Sequence, residues 1–379
     1  MRILKLIVYN FLVFVLLLTA CEACATAFYS ARNFYRRHWV VRQAALTGTL
    51  DQPEGAAFQK EEDRAELLTW TSYSYWRRAP VSGQYVNVDA NGLRRTWNPP
   101  DLSHRRIRVF MFGGSAVWGT GSRDEYTIPS QLSRMLAKSF GSRVEVVNYG
   151  EWGYVTTQEL IALLKEIQRG NAPSVAIFYD GYNDIFSAFQ NGAAGLPQNE
   201  MNRVREFNLL QSGPRFYLEW VRRSSLSILL SNAASRLRRA SDFARYSRLA
   251  DDGRLIDDLL SVYCTNVKII KAVGLAYNIR ILNYWQPSVY TKANPTTEER
   301  AVAASDPLFQ RFHRSTIARL KSSPIEKSDS FRDLTGAFDG HQERVFADGV
   351  HISERGNESV AGLIANDVAG AARQLLQQQ

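Results

Sequence analysis

The sequence predicts a three-layer α/β/α sandwich around a central parallel sheet, and three observations carry that expectation. Apolar runs of strand length recur at Arg106–Phe112, Val144–Val147, Ser174–Tyr179 and Ile279–Trp285. Segments of helical periodicity separate them, and strands alternating with helices build βαβ units whose parallel sheet is covered on both faces. The chain has 379 residues, 45% hydrophobic and 22% charged, enough apolar content to bury such a sheet. Twenty-four Gly, 12 Pro and 3 Cys exclude a collagen, a disordered chain and a disulfide scaffold.

The N-terminus comes first. Leu6 to Ala20 is apolar except for Asn10, and the apolar character continues past Glu22 through Ala23, Ala25, Ala27 and Phe28. Three readings fit. Ala23-Cys24-Ala25 or Ala25-Thr26-Ala27 would serve as the cleavage site of a secretory signal. Leu18-Thr19-Ala20-Cys21 resembles a lipobox, with Cys21 the lipidated residue. Uncleaved, Leu6–Tyr29 makes a helix of about 36 Å, long enough to span a bilayer, with Glu22 near its end. All three place the body outside the cytoplasm, as a membrane-linked or exported protein. Basic residues flank the segment on both sides (Arg2 and Lys5; Arg32, Arg36, Arg37 and Arg42), so charge does not orient it. Residues 1–42 contribute +5 of the net +9, which makes the basic character partly a membrane-flank signature.

Residues 31–105 read as a juxtamembrane and strap segment, polar from 43 onward, with turns at Asn91-Gly92 and Asn98-Pro99-Pro100. Residues 106–379 form the α/β domain. Its first strand ends in Gly113-Gly114. Helices follow at Pro129–Phe140 and Thr157–Ile167, then at Asp257–Val273, near 297–320 and from about Ser353 to Leu376, with a weak strand near Ser330–Leu334. After the third strand, residues 200–250 form a basic helical insertion. Met201–Ala250 holds ten Arg and three acids, interleaved with Phe216, Trp220, Leu226, Ile228, Leu229, Leu230, Leu237, Phe243 and Tyr246. Such a pattern fits a cap of amphipathic helices with a solvated Arg face, or a face toward a membrane surface or acidic glycan. No nucleic-acid-binding module accompanies the charge, so no nucleic-acid partner is expected.

In a parallel sheet, ligands gather beyond the carboxyl ends of the strands. After the first strand stands Gly113-Gly114-Ser115, then Gly119 and Gly121. A phosphate loop is excluded, because Thr120 stands where a Walker loop needs Lys and no G-x-G-x-x-G is present. The nucleophile elbow G-x-S-x-G also fails at Val117. A serine opening a helix remains, a capping residue or a nucleophile. After the second strand comes Asn148-Tyr149-Gly150-Glu151-Trp152-Gly153, and after the third Asp180-Gly181-Tyr182-Asn183-Asp184. Asp348-Gly349-Val350-His351 precedes the last helix, with the Asp spaced to orient the imidazole. Each block alone suits a turn; together they assemble a nucleophile, a base, its orienter and oxyanion donors, the parts of an acyl-transfer site. Asp180 and Asp184 have no neighbouring His or Cys with ligand spacing, so no metal and no cofactor is expected. His38, His104, His313 and His341 read as surface or structural.

The four blocks, GGS at 113–115, NYGEWG at 148–153, GYND at 181–184 and DGVH at 348–351, resemble in order those of the SGNH (GDSL-like) hydrolase superfamily. The resemblance covers residues 106 to 370 and departs at Gly114, where many members have Asp. It implies a flavodoxin-like α/β/α fold and a catalytic triad of Ser115, Asp348 and His351. The implied oxyanion donors are the backbone N–H groups of Ser115 and Gly153 and the Asn183 amide; Gly153 fits the block's spacing better than Gly150. The implied activity is serine-dependent hydrolysis of short O-acyl esters such as acetyl, on an envelope or exported polysaccharide. An O-acetyltransferase with the same triad, or a silent glycan-binding or scaffold module, are the alternatives.

Overall fold

The computed structural model describes residues 2–44, 52–211, 224–328 and 330–378. Phe216 and Trp220 of the basic insertion lie outside the described residues. The described chain forms two compact units. One contains α1 (Arg2–Ala44) with most of α7 (Glu200–Leu210) and α8 (Ser225–Ala250). In α1 the apolar side chains from Ile3 to Leu18 are exposed, and the Arg2–Arg32 stretch is long and apolar enough to cross a bilayer. Within this unit Glu22 accepts hydrogen bonds from the backbone N–H groups of Ser225 (2.6 Å) and Leu226 (2.9 Å). The carboxylate of one helix thereby caps the N-terminus of another.

The second unit is the predicted three-layer α/β/α sandwich. Its five strands are β3 (Ile107–Gly113), β4 (Val144–Asn148), β5 (Val175–Asp180), β6 (Arg280–Trp285) and β7 (Phe331–Asp333). They are all parallel, in the order β4-β3-β5-β6-β7. Alternating side chains face two helical layers. Phe110, Phe112, Ala176, Phe178 and Ile281 pack with Leu160 and Leu163 of α5 (Thr156–Gln168) and Ile270 of α9 (Gly253–Ala276). On the opposite face lie α4 (Ile128–Phe140) and α12 (Glu354–Gln377), where the Tyr284 hydroxyl donates to Asp367. Although α9 also has the length and composition of a membrane span, its Leu259, Tyr263, Val267 and Ile270 are core residues. Side-chain caps fix the helix starts: Asp252 accepts from Arg254 and Leu255 N–H, and Ser353 from Gly356 N–H.

The stretch expected to be irregular holds two further elements. Residues 52–65 form α2, and β1 (Leu68–Thr71) pairs antiparallel with β2 (Tyr75–Arg78) as a hairpin. Short α3 (Ser115–Trp118) follows β3, and α6 (Tyr182–Asn191) follows β5. Beyond α9, α10 (Thr297–Ala304) and α11 (Pro307–Lys321) connect β6 to β7, with Phe309 and Phe312 of α11 against Phe189 of α6.

Where β5 ends, three buried carboxyl groups converge from different elements: Glu159 on α5, Asp180 on β5 and Asp184 on α6. The Tyr263 hydroxyl donates to Asp180 (2.7 Å) and the Thr156 hydroxyl to Asp184 (2.8 Å). Burial first, and then the mutual proximity of the acids, pushes Glu159 and Asp180 above the carboxylate range. The folded chain therefore keeps protons that the unfolded chain releases near pH 4, and this contribution to stability falls as pH rises above that point. Asp180→Asn removes part of that slope. Melting temperatures of the two proteins across pH 5 to 8 are expected to decline less with pH in the variant.

Candidate active site

Ser115 begins α3 immediately beyond the carboxyl end of β3 and is 6% exposed. Two glycines make this turn sterically possible. A Cβ on Gly113 would strike the Tyr179 carbonyl and the Val117 side chain. A Cβ on Gly114 would strike the Asn183 side-chain nitrogen, so the Asn183 amide occupies the space that glycine leaves beside the serine.

His351 Nε2 lies 2.7 Å from Ser115 Oγ, and His351 Nδ1 lies 2.6 Å from Asp348 Oδ2. Asp348 Oδ1 accepts the N–H groups of Val350 (2.9 Å) and His351 (2.8 Å). Partial desolvation works to raise the Asp348 carboxyl, but the hydrogen bond and charge of His351 and the two backbone donors outweigh it, leaving it at about 2. The ionised carboxylate holds the imidazole with Nδ1–H toward it, which leaves Nε2 to accept the Ser115 proton. A two-residue bridge, Phe346 with Ile352, closes the loop that carries both residues. The loop is pinned by a fully buried ion pair, Lys292 Nζ to Glu299 Oε2 at 2.8 Å, whose other oxygen accepts the N–H groups of Val345 and Phe346.

The second and third blocks meet the serine from the neighbouring strands. Asn148 at the end of β4 donates to the Val117 carbonyl (2.9 Å) and accepts Gly150 N–H (2.9 Å). Gly150 N–H is therefore committed within its own loop, and a Cβ there would strike the backbone of Trp118. Gly153 sits at φ +68°, a left-handed conformation that glycine adopts without a Cβ penalty. Asn183, in the first turn of α6, donates to the Tyr154 carbonyl (2.9 Å) and accepts from Gln198 (3.3 Å). Its amide is held from both ends, and the second N–H of that amide remains to meet a ligand. Ser115, His351, Asp348 and Asn183 are thus brought together where the order of strands changes direction between β3 and β5, the usual place for a ligand in an open α/β sheet. Asp180 and Asp184 are engaged by Tyr263 and Thr156, and His313 is buried beside Ser288 (3.2 Å), its imidazole pushed down to about 3 by burial.

Several residues that support the site were not singled out in the sequence. Arg94, almost fully buried, spreads its guanidinium over the Trp118 ring (4.1 Å). It donates to Asp124 (2.9 Å) and to the carbonyls of Gly119 (2.9 Å) and Ser122 (2.6 Å), clamping the chain just after α3. Arg78, between the Trp118 and Trp152 rings, pairs with buried Glu151 at 3.5 Å. Gln198 braces Asn183. None stands in a periodic pattern or a block, and each finds its partner 15 or more residues away.

No family model and no curated protein matches the chain. Solved structures do. An acetyl xylan esterase, AlAXEase, shares 14% identity, with 69% of this chain and 100% of that chain covered and a TM-score of 0.40. A carbohydrate acetylesterase family member from Sinorhizobium meliloti shares 17% identity over 70% and 99%, with a TM-score of 0.35. An acetylxylan esterase from Geobacillus stearothermophilus shares 12% identity over 70% and 94%, with a TM-score of 0.37. At such values the functional reading rests on the site's own geometry.

Breaking the Arg94–Asp124 pair leaves a buried carboxylate without its charged partner, held only by the Asn87 backbone and side-chain N–H groups, a loss of about 3 kcal/mol. Arg94→Met is expected to cost that much in denaturant unfolding, and Arg94→Met with Asp124→Leu to recover part of it.

Proposed function

We propose that this protein is a membrane-anchored serine esterase of the SGNH type that hydrolyses short O-acyl esters, acetyl above all, on an envelope or exported polysaccharide. The observation that carries the reading is the continuous relay from Ser115 Oγ through His351 to Asp348, at 2.7 and 2.6 Å, beside a braced Asn183 amide.

In the first half-reaction Ser115 Oγ attacks the ester carbonyl carbon while His351 Nε2 takes its proton. The negative charge that develops on the carbonyl oxygen is met by the Asn183 amide and by the backbone N–H groups of Ser115 and Gly153. His351 then delivers its proton to the leaving alkoxide as the C–O bond breaks, and the acyl group stays on Ser115. Water, deprotonated by the same imidazole, attacks the acyl-enzyme; acetate leaves and Ser115 regains its proton. Asp348 stays ionised throughout and steadies the imidazolium.

The anchor is the Arg2–Arg32 stretch of α1, retained in the mature chain. Its apolar surface is exposed, and the contact from Glu22 to Ser225 and Leu226 ties it to a later part of the sequence, as a discarded leader would not be. The α/β unit then works on the extracytoplasmic side.

The test is hydrolysis of p-nitrophenyl acetate and of O-acetylated polysaccharide by the full-length protein in detergent, with acetate release measured. Ser115→Ala is expected to remove turnover, Asp348→Asn to lower kcat by about 10⁴-fold, and Asn183→Ala by about 10²- to 10³-fold. Gly114→Ala should match Asn183→Ala in kcat, because its Cβ displaces that amide. Acyl-enzyme formation with transfer to a sugar hydroxyl and no acetate release would replace hydrolysis by transfer. Equal rates in wild type and Ser115→Ala would sink the reading.

A further inference from the structure

The hairpin β1–β2 exposes aromatic rings that a soluble domain normally buries. Trp70 is 73% exposed and Tyr73 80%. Trp70 and Trp76 face each other across the two strands, and the Tyr75 ring lies 5.7 Å from Trp70 and 6.4 Å from Trp76, nearly parallel to the latter. The row continues inward: Trp76 stands edge-on to Tyr154 at 5.7 Å. Tyr73 and Tyr75 hold φ values of +69° and +72°, a left-handed region that bulky side chains enter only at an energetic cost. Such strain is retained where surrounding structure imposes it, and here it keeps one ring outward and another in line with the tryptophans.

The row is joined to the loop that carries Gly153. Trp76 Nε1 donates to the Trp152 carbonyl (2.8 Å), the Tyr154 hydroxyl donates to the Trp76 carbonyl (2.6 Å), and Arg78 N–H donates to Glu151 (2.9 Å). Trp152 itself is 39% exposed, one residue from Gly153. Polar groups border the rings: the Tyr75 hydroxyl donates to Glu200 (3.3 Å), and Lys165 reaches the Ser72 carbonyl (3.3 Å). Flat apolar faces bordered by hydrogen-bonding groups suit pyranose rings, which are apolar on their C–H faces and hydroxylated at their edges. A bilayer would satisfy the apolar faces as well, but it makes no use of a row fixed in register with a catalytic loop.

We infer that the β1–β2 hairpin is a carbohydrate-binding ledge, on which the rings of Trp70, Tyr73 and Trp152 hold the sugar chain that presents its ester to Ser115. The inference rests on the esterase reading and assigns the surface that holds its polysaccharide substrate.

The test compares full-length wild type, Trp70→Ala and Trp70→Ala/Tyr73→Ala in detergent. Substrates are p-nitrophenyl acetate and O-acetylated xylan and glucomannan, with binding of the same polymers read by calorimetry. The ratio of kcat/KM on polymer to that on the aryl ester is expected to fall about tenfold in the single variant and further in the double, with polymer binding weakened in step. An unchanged ratio on both polymers, an equal loss on polymer and aryl ester, or no polymer binding by wild type overturns the ledge. So does binding to phosphatidylglycerol vesicles that the variants lose while polymer binding is unaltered. Failure of the esterase reading looks different: no substrate is turned over faster than by Ser115→Ala. Polymer binding that weakens in the variants would then still support the ledge.

Discussion

The register of β3 against β5 is the constraint on which the site depends. Gly113 pairs with Tyr179, so the chain leaves the sheet at Ser115 on one strand and at Asn183 on its neighbour, side by side. A slip of one residue would turn every side chain of a strand to the opposite helical layer, exchanging Phe110 and Phe112 for Val109 and Met111 in the cluster under α5. The cost of that exchange keeps the ends of β3 and β5 level, with the Asn183 amide against Gly114. Gly113 and Gly114 then remove the two Cβ atoms that would keep the strands' ends apart.

Around this geometry the protein spends buried charge rather than apolar packing. Arg78 with Glu151, Arg94 with Asp124 and Lys292 with Glu299 each hold one of the loops that meet at Ser115. Buried pairs add little net stability over apolar residues of like volume, because desolvation offsets much of their attraction. They do fix direction, since a guanidinium fork or a carboxylate with four acceptor sites accepts few arrangements. Arg94 alone engages Asp124 and the carbonyls of Gly119 and Ser122, which an apolar residue could not do.

Much of this was legible in the sequence where the signal is local. The strands were found within a residue or two, because buried parallel strands read as unbroken apolar runs, and the helix behind Ser353 because its cap precedes an amphipathic repeat. Three of the blocks stand out in the sequence because each sits directly after a strand, and Asp348-Gly349-Val350-His351 because it precedes the last helix. The hairpin and α2 were missed. β1 and β2 are four residues each, with no alternation of exposed and buried positions, and α2 carries Gly55 and only a weak apolar stripe. Arg78, Arg94 and Gln198 were invisible for another reason: their importance lies in partners distant in sequence, which a local pattern does not record.

The bond from Glu22 to the first N–H groups of α8 also sets an order of events in synthesis. The acceptor leaves the ribosome about 200 residues before its donors. At about 5–20 residues per second the interval is roughly 10 to 40 s. Throughout it, the carboxylate lacks these two donors, and all strands of the sheet up to β5 emerge first. Closing so long a loop adds little entropy cost beyond closing a shorter one, since that cost grows only with the logarithm of length. The contact between the N-terminal helix and α8 thus forms only after three strands of the sheet have been translated, and before β6 and β7.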